Sequence, residues 1–245
     1  MSTKVVILGG SSSLGLGVGG RSYAVRAARL LDADAEIKQL SRSAQTVAEV
    51  DRRTTEQIRR FRPDVIILSF GAAEGHVHPS RLLQALLDRF GPRSWRGPAG
   101  MEPRPYYSRH PVKRWRQRLV SGSKITVKRA IIAVTGGYHR LGSDDFDHRL
   151  RDLLDDLGPA TKVLVGLWRV DDHMFPRSNA VLSHHDALLR RIAGDRDDVV
   201  YVPTRDVVRH WDDFLMDHAH LNDHGHDVVA RLISENITAK AGTGA

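Results

Sequence analysis

The chain has 245 residues, 41% of them apolar and 27% charged, which is the profile of an ordinary globular protein. It has no cysteine, excluding disulfides and a cysteine nucleophile, and no run approaching the ~18 uninterrupted apolar residues of a membrane-crossing helix. Its net charge of +8 is concentrated: between residues 91 and 130, eleven Lys and Arg accompany a single acid, Glu102, so the remainder is close to neutral.

The first expected strand, 5–8, begins so soon after Met1 that no secretory signal fits before it, and a cytoplasmic location is expected. A glycine-serine loop follows at 9–20. Next come a helix at 22–31, a strand at 36–40 and a polar helix at 46–62 that stops before Pro63. Residues 65–70 (VIILSF) form a continuous apolar run rich in Ile and Val, as a buried parallel strand requires. Residues 76–142 then interrupt the rhythm. They hold six of the ten prolines and are too long for an ordinary connection, so they are expected to form a basic, lid-like insertion with helices near 80–90 and 112–134. Beyond it, Phe146, Leu150, Leu153, Leu154 and Leu157 share one helix face. A buried strand at 162–168, a helix at 183–192, a strand at 199–202 and a helix at 225–237 complete the chain. The alternation predicts one α/β domain over 1–245, with five parallel strands covered on both faces. Ligands bind at the C-terminal strand edge of such sheets, where loops 9–20 and 71–78 and those after 168 and 202 lie.

Gly15, Gly17 and Gly20 satisfy G-x-G-x-x-G, but the triplet begins seven residues after Leu8, and "QLSRS" stands where an acidic ribose anchor would be. A dinucleotide loop needs its first glycine at the strand end, so no cofactor is expected. The residues directly after the strand are serines. Ser11, Ser12 and Ser13 could cap a helix, or one could be a nucleophile exposed on a strand-to-helix turn. A serine nucleophile needs a base and the base an orienting group; Asp217-x-x-His220 in "DHAHLNDHGHD" offers both within one short turn. The same stretch, with His218, His224, His226 and Asp223, contains side chains competent to bind zinc. It lacks the glutamate of H-E-x-x-H, and no metal is expected.

Gly9-Gly10-Ser11-Ser12-Ser13-Leu14-Gly15 resembles the G-D-S-x-S/T-x-G block of the SGNH (GDSL-type) hydrolases, and D-x-x-H-L-N-x-x-G-H at 217–226 closely matches that family's last block. The resemblance runs from residue 1 to about 237. It implies a flavodoxin-like three-layer α/β/α sandwich and a serine hydrolase acting on an ester: Ser11 as nucleophile, His220 as base, Asp217 orienting His220. It further implies an oxyanion hole from backbone amides of Ser11, of Ser41 or Ser43 in "QLSRSAQT", and of Gly71. An acyltransferase with the same triad, or an SGNH-fold binding protein with impaired catalysis, are the alternatives.

The sequence departs from the pattern in three places. Gly10 replaces Asp, Ala73 stands where Asn is an oxyanion donor, and Glu74 replaces Asp. Loss of one such donor is worth about 10²–10³ in rate. His76, His78 or an arginine of the insertion are the expected replacements, and Glu74 is expected either at the substrate or paired with an insertion arginine. In "RPYYSRHPVKRWRQRLV", Arg104 and Arg109 stand among Tyr106, Tyr107 and Trp115, a mixture that holds phosphate or carboxylate. The expected partner is a small ester, anionic or carrier-linked, and not nucleic acid.

Overall fold

A computed structural model describes residues 2–97, 100–209 and 211–243. Strands β1 (Lys4–Gly9), β2 (Glu36–Gln39), β3 (Val65–Ser69), β4 (Thr161–Val165) and β5 (Val199–Val202) form one parallel sheet in the order β2-β1-β3-β4-β5. All five strands fall where the apolar runs predict them. Val5 to Leu8 and Ile66 to Leu68 are essentially without solvent contact, because the central strands are covered on both faces.

Between the strands run α1 (Ser11–Leu14), α2 (Tyr23–Leu31), α3 (Arg52–Phe61), α4 (Ala72–Gly75), α5 (Arg81–Phe90), α6 (Pro111–Thr135), α7 (Ser143–Asp156) and α8 (Ser178–Gly194), with α9 (Asp223–Thr243) last. The chain steps outward from β1 to β2, then reverses across β3, β4 and β5. Right-handed crossovers therefore put α2 on one face and α3, α7 and α8 on the other, and α9 returns to pack along α2. The reversal occurs at β1 and β3, whose ends coincide at the Gly9–Ser69 pairing. A crevice opens outside such a switch point, so the loops after β1 and β3 face each other across it.

The expected helix at 46–62 is divided. Residues Val47–Glu49 form a 3₁₀ turn closed by a Thr46–Glu49 capping box, Val50 is extended, and Asp51 starts α3 by accepting the Thr54 amide at 2.8 Å. Two capping sequences in succession outweigh the continuous periodicity. β4 also stops at Val165, three residues short of expectation, and the Trp168 indole turns away to donate to the Ala219 carbonyl at 3.0 Å.

The insertion expected over 76–142, of which Pro98 and Ala99 lie outside the described residues, carries α5 and α6 where predicted. An antiparallel bridge pinches its two ends together: the His78 amide donates to the Tyr138 carbonyl at 2.7 Å, and the Tyr138 amide to that of His78 at 2.8 Å. The C-terminal half of α6 packs inward through Lys124, Ile125, Lys128 and Ile132, whereas residues 111–116 are all exposed. Among the described residues no helix is long and apolar enough to cross a membrane.

Gly9 has φ 149°, and a Cβ there would lie 2.4 Å from the Ser69 carbonyl oxygen. Gly9→Ala should therefore push the β1 and β3 loops apart and lower the unfolding free energy in urea by about 2 kcal/mol.

Candidate active site

Three serines follow β1, and their surroundings differ. Gly10 is extended and forms the N-cap of α1, so Ser11 is the first residue of a short helix on a tight strand-to-helix turn. Ser13 is fully buried, donating to the Gly10 carbonyl at 2.9 Å, with Ser41 Oγ 3.0 Å from its hydroxyl oxygen. Ser12 lines the crevice. Ser11 Oγ lies 2.7 Å from His220 Nε2, although 209 residues separate them.

His220 is aimed by a local turn. Phe214 and Leu221 form an antiparallel bridge, and between them His218 takes φ 52°. Asp217, 1% exposed, closes this turn by accepting the amides of Ala219 and His220 through Oδ1, at 3.2 and 3.1 Å. Its Oδ2 lies 2.6 Å from His220 Nδ1. The carboxylate thus holds a proton on Nδ1 and leaves Nε2 free to accept from Ser11. His218 is half-buried, edge-on to Trp211. His224 pairs with Asp213 at 2.6 Å, and the buried His226 accepts the Tyr23 amide at 3.0 Å. Among the described residues no three His, Asp or Glu side chains converge on a metal position.

Ser11 and His220 open on a cavity of 360 Å³ with an apolar wall of Leu16, Leu167, Trp168, Val170, Phe175 and Leu182. The turn after β2 forms another wall. There the Gln45 amide donates to the Arg42 carbonyl at 3.2 Å, and Ser43 and Ala44 sit between them at the cavity, Ala44 with φ 55°. Ser43 thus reaches the site; Ser41 does not. Ser41 is buried behind the turn, and its amide donates to Gln39 Oε1 at 3.3 Å. Gly71 is also displaced from its expected place in the oxyanion hole. It lies off the cavity wall, and its amide donates to Glu74 Oε2 at 2.7 Å. Ala72 and Ala73 occupy the wall instead.

Glu74 is not a substrate or lid residue. It is fully buried and accepts the amides of Gly71 and Val47, each at 2.7 Å, bracing the β2 and β3 loops. Burial pushes its pKa up to about 7. The expected arginine partner goes elsewhere: Arg140 extends along the cavity to the Ala44 carbonyl and to Glu49 Oε1 at 2.8 Å.

Of the other anticipated residues, His76 faces the cavity, packed at a tilt against Phe175 with ring centroids 4.8 Å apart. Burial, aided by the charges of Lys128, His78 and His220, lowers its pKa to about 4, so the ring is neutral at pH 7. His78 turns toward Glu102, with Nδ1 3.6 Å from Oε1. Glu102 itself is anchored by the fully buried Lys128 at 2.8 Å. Arg104 stands exposed on the cavity wall with no ion pair or hydrogen bond among the described residues. Arg109 is exposed just before α6 and does not reach the cavity, because α6 carries that end of the insertion outward.

No protein-family model matches the sequence, and neither does any curated protein sequence. Solved structures do match. The lipase/acylhydrolase from Enterococcus faecalis superposes with a TM-score of 0.62 at 11% identity, over 97% of this chain and 96% of that one. A catalytic mutant of Axe2, an acetylxylan esterase from Geobacillus stearothermophilus, superposes with a TM-score of 0.59 at 14% identity, over 97% and 95%. The chain has the SGNH (GDSL-type) hydrolase fold. The same fold is shared by the catalytic domain of peptidoglycan O-acetyltransferase A from Streptococcus pneumoniae, with a TM-score of 0.52 at 10% identity over 99% and 96%. At these identities the likeness is one of architecture.

Against this fold, the residue missed by the sequence is Gln45. It is 3% exposed and lines the cavity; its Oε1 accepts the Arg42 amide at 3.1 Å, leaving Nε2 buried without a partner among the described residues. Its signal lay within "QLSRSAQT", where only the serines drew notice. The Glu102–Lys128 pair was also missed, although a lone acid among eleven cations has to find one of them.

His226 makes the fold acid-sensitive. Burial lowers its pKa from 6.5 to about 4. The neutral ring is favoured in the fold, so its contribution is complete above about pH 6.5 and lost as pH falls toward 4. Glu74 has the opposite sign: its raised pKa gives a contribution present below about 4.5 and lost as pH rises through about 7. Comparing the protein with its His226→Asn variant isolates the histidine. Between pH 7 and 5 the variant should lose less stability in urea, by about 2 kcal/mol.

Proposed function

We propose that the protein is a serine esterase that cleaves its substrate through a covalent acyl-enzyme. The observation that carries this reading is the unbroken path Asp217–His220–Ser11 opening on a cavity that is apolar on one side and polar on the other. Ser11 Oγ attacks the ester carbonyl as His220 Nε2 takes its proton. The tetrahedral intermediate collapses, and the imidazolium returns that proton to the leaving alcohol. Water, deprotonated by His220, then attacks the acyl-enzyme, and collapse of the second intermediate releases the acid and restores Ser11. Asp217 fixes the tautomer and stabilises the imidazolium. The oxyanion draws on the amide of Ser11 at the start of α1 and on the Ser43–Ala44 turn. His76 and Gln45 are the side-chain donors on a wall where Ala73 offers none.

The insertion over 76–142 acts as a lid belonging to the same domain, and the substrate is a small ester bearing an anionic group. Arg104 supports this, as a cation on the cavity wall without an ion pair among the described residues; burial, with the charge of Arg104 added, lowers the pKa of the Lys124 amine. Two cations brought together favour an anion between them. Arg104→Ala should raise KM for an ester with a carboxylate or phosphate about tenfold, with little effect on a neutral ester of the same acyl group. Steady-state kinetics on the pair checks this.

Acyl transfer to an alcohol or amine is the second reading, favoured by the apolar cavity wall and by the O-acetyltransferase among the fold neighbours. A fluorophosphonate probe, read by intact mass, tests the common step: the protein should gain one adduct and Ser11→Ala none. Equal labelling of both proteins would remove Ser11 as nucleophile. Product analysis with and without an added acceptor then separates hydrolysis from transfer.

A further inference from the structure

The insertion carries a feature that ester cleavage does not use. We propose that α5 and the first turns of α6 dock the protein on an anionic lipid surface. Val112, Trp115 and Leu119 recur at i, i+3 and i+7, so they share one face of α6, and they are 69%, 65% and 54% exposed. On a helical wheel Arg116 and Arg118 flank this stripe, with Lys113 and Arg114 behind it. α5 repeats the arrangement: Leu82, Leu86 and Phe90 at i, i+4 and i+8 are 71%, 49% and 72% exposed, with Arg89 alongside.

No Asp or Glu occurs from residue 103 to residue 143. The α6 part of the surface is therefore cationic without internal compensation, α5 sets Asp88 against Arg81 and Arg89, and a second copy of the chain would bring arginines against arginines. The stripe lies on a projecting helix rather than in a groove, since residues 111–116 are exposed on every side. Trp and Leu along one face, bounded by Arg and Lys whose aliphatic stems can lie along the apolar boundary, is the pattern of a helix lying in the lipid headgroup region. Anionic headgroups supply the missing counter-charge. The same insertion lends Glu102, Arg104 and Lys124 to the cavity wall, so docking and substrate access share one segment.

The test is co-sedimentation of the full chain with vesicles of phosphatidylcholine, with and without one third phosphatidylglycerol, at physiological salt. Binding is expected only with the anionic lipid. Each cation near such a surface is worth about fivefold, so Arg116→Gln with Arg118→Gln should weaken it about 25-fold. Trp115→Ser with Leu119→Ser, which leaves the charge unchanged, should weaken it at least tenfold, separating insertion from adsorption. All four side chains are exposed, and circular dichroism should be unchanged in both variants. Equal binding to neutral vesicles, or undiminished binding by either variant, overturns the proposal. So does a solution mass showing the stripe buried in a dimer that ignores vesicles, or saturation of the stripe by an acidic carrier protein while vesicles are ignored.

Discussion

Replacing Ser11 with alanine should lower kcat by about 10⁴–10⁶-fold with little change in KM on the proposed mechanism, in which the three side chains work as one unit. Ser11 sits 2.7 Å from His220 Nε2, and Asp217 sits 2.6 Å from Nδ1. His220→Ala should cost about as much as Ser11→Ala, and the double variant no more than either alone. Asp217→Asn is the more informative change. Asp217 Oδ1 also accepts the amides of Ala219 and His220, so an asparagine there keeps its carbonyl oxygen in that role. Its NH₂ then faces Nδ1, which must become the acceptor, and Nε2 carries the proton. The ring stays in place in the wrong tautomer, with an expected loss of about 10⁴ in kcat. Additive losses in the double variant would show that Ser11 and His220 act separately.

The largest stability effect is expected at Lys128. Its amine is fully buried, 2.8 Å from Glu102 Oε2 and 4.7 Å from the centre of the Phe175 ring. Burial pushes the Glu102 carboxyl up, but the charges of Lys128, His78 and His76 outweigh it and hold the group below its ordinary value. Lys128→Met leaves that carboxylate enclosed without its cation, and removing one partner of a buried pair costs about 3–5 kcal/mol. Removing both charges, with Glu102→Gln added, should recover most of the loss, since a satisfied buried pair contributes little net stability. Urea unfolding of the single and double variants reads both. The single variant should suffer less at pH 5 than at pH 8, because the enclosed Glu102 carboxylate, left without its cation, can then take up a proton and share it with His78 3.6 Å away.

The sheet was legible because burial on both faces leaves an unmistakable composition: "VIILSF" has few alternatives to a central strand. The face of α7 was equally plain, with Phe146, Leu150 and Leu154 all buried as their spacing requires. The Ser11 and Asp217-x-x-His220 pieces could be read because each is compact in sequence, and the sheet order then brings them together. The oxyanion side was harder. Ser41 and Gly71 have the right positions along the chain, but their amides are claimed by Gln39 and Glu74. A backbone amide looks the same whatever it donates to, so its availability depends on distant side chains. Gln45 and Lys128 were hidden for the converse reason, each being defined by what surrounds it in space.

The insertion, pinched at His78 and Tyr138, has an outer end that is structurally independent of the sheet. Its two ends are clamped side by side through paired backbone hydrogen bonds, a connection indifferent to the side chains beyond them. Between those points the exposed outer residues 111–116 can vary without shifting β3 or β4, whereas Pro105, whose carbonyl accepts the Met216 amide at 3.1 Å, and Lys128, on Glu102 and Phe175, tie the inner part of the insertion to the site. The outer end is thereby separable from the sheet, while the wall that the insertion gives the cavity is coupled to the turn that aims His220.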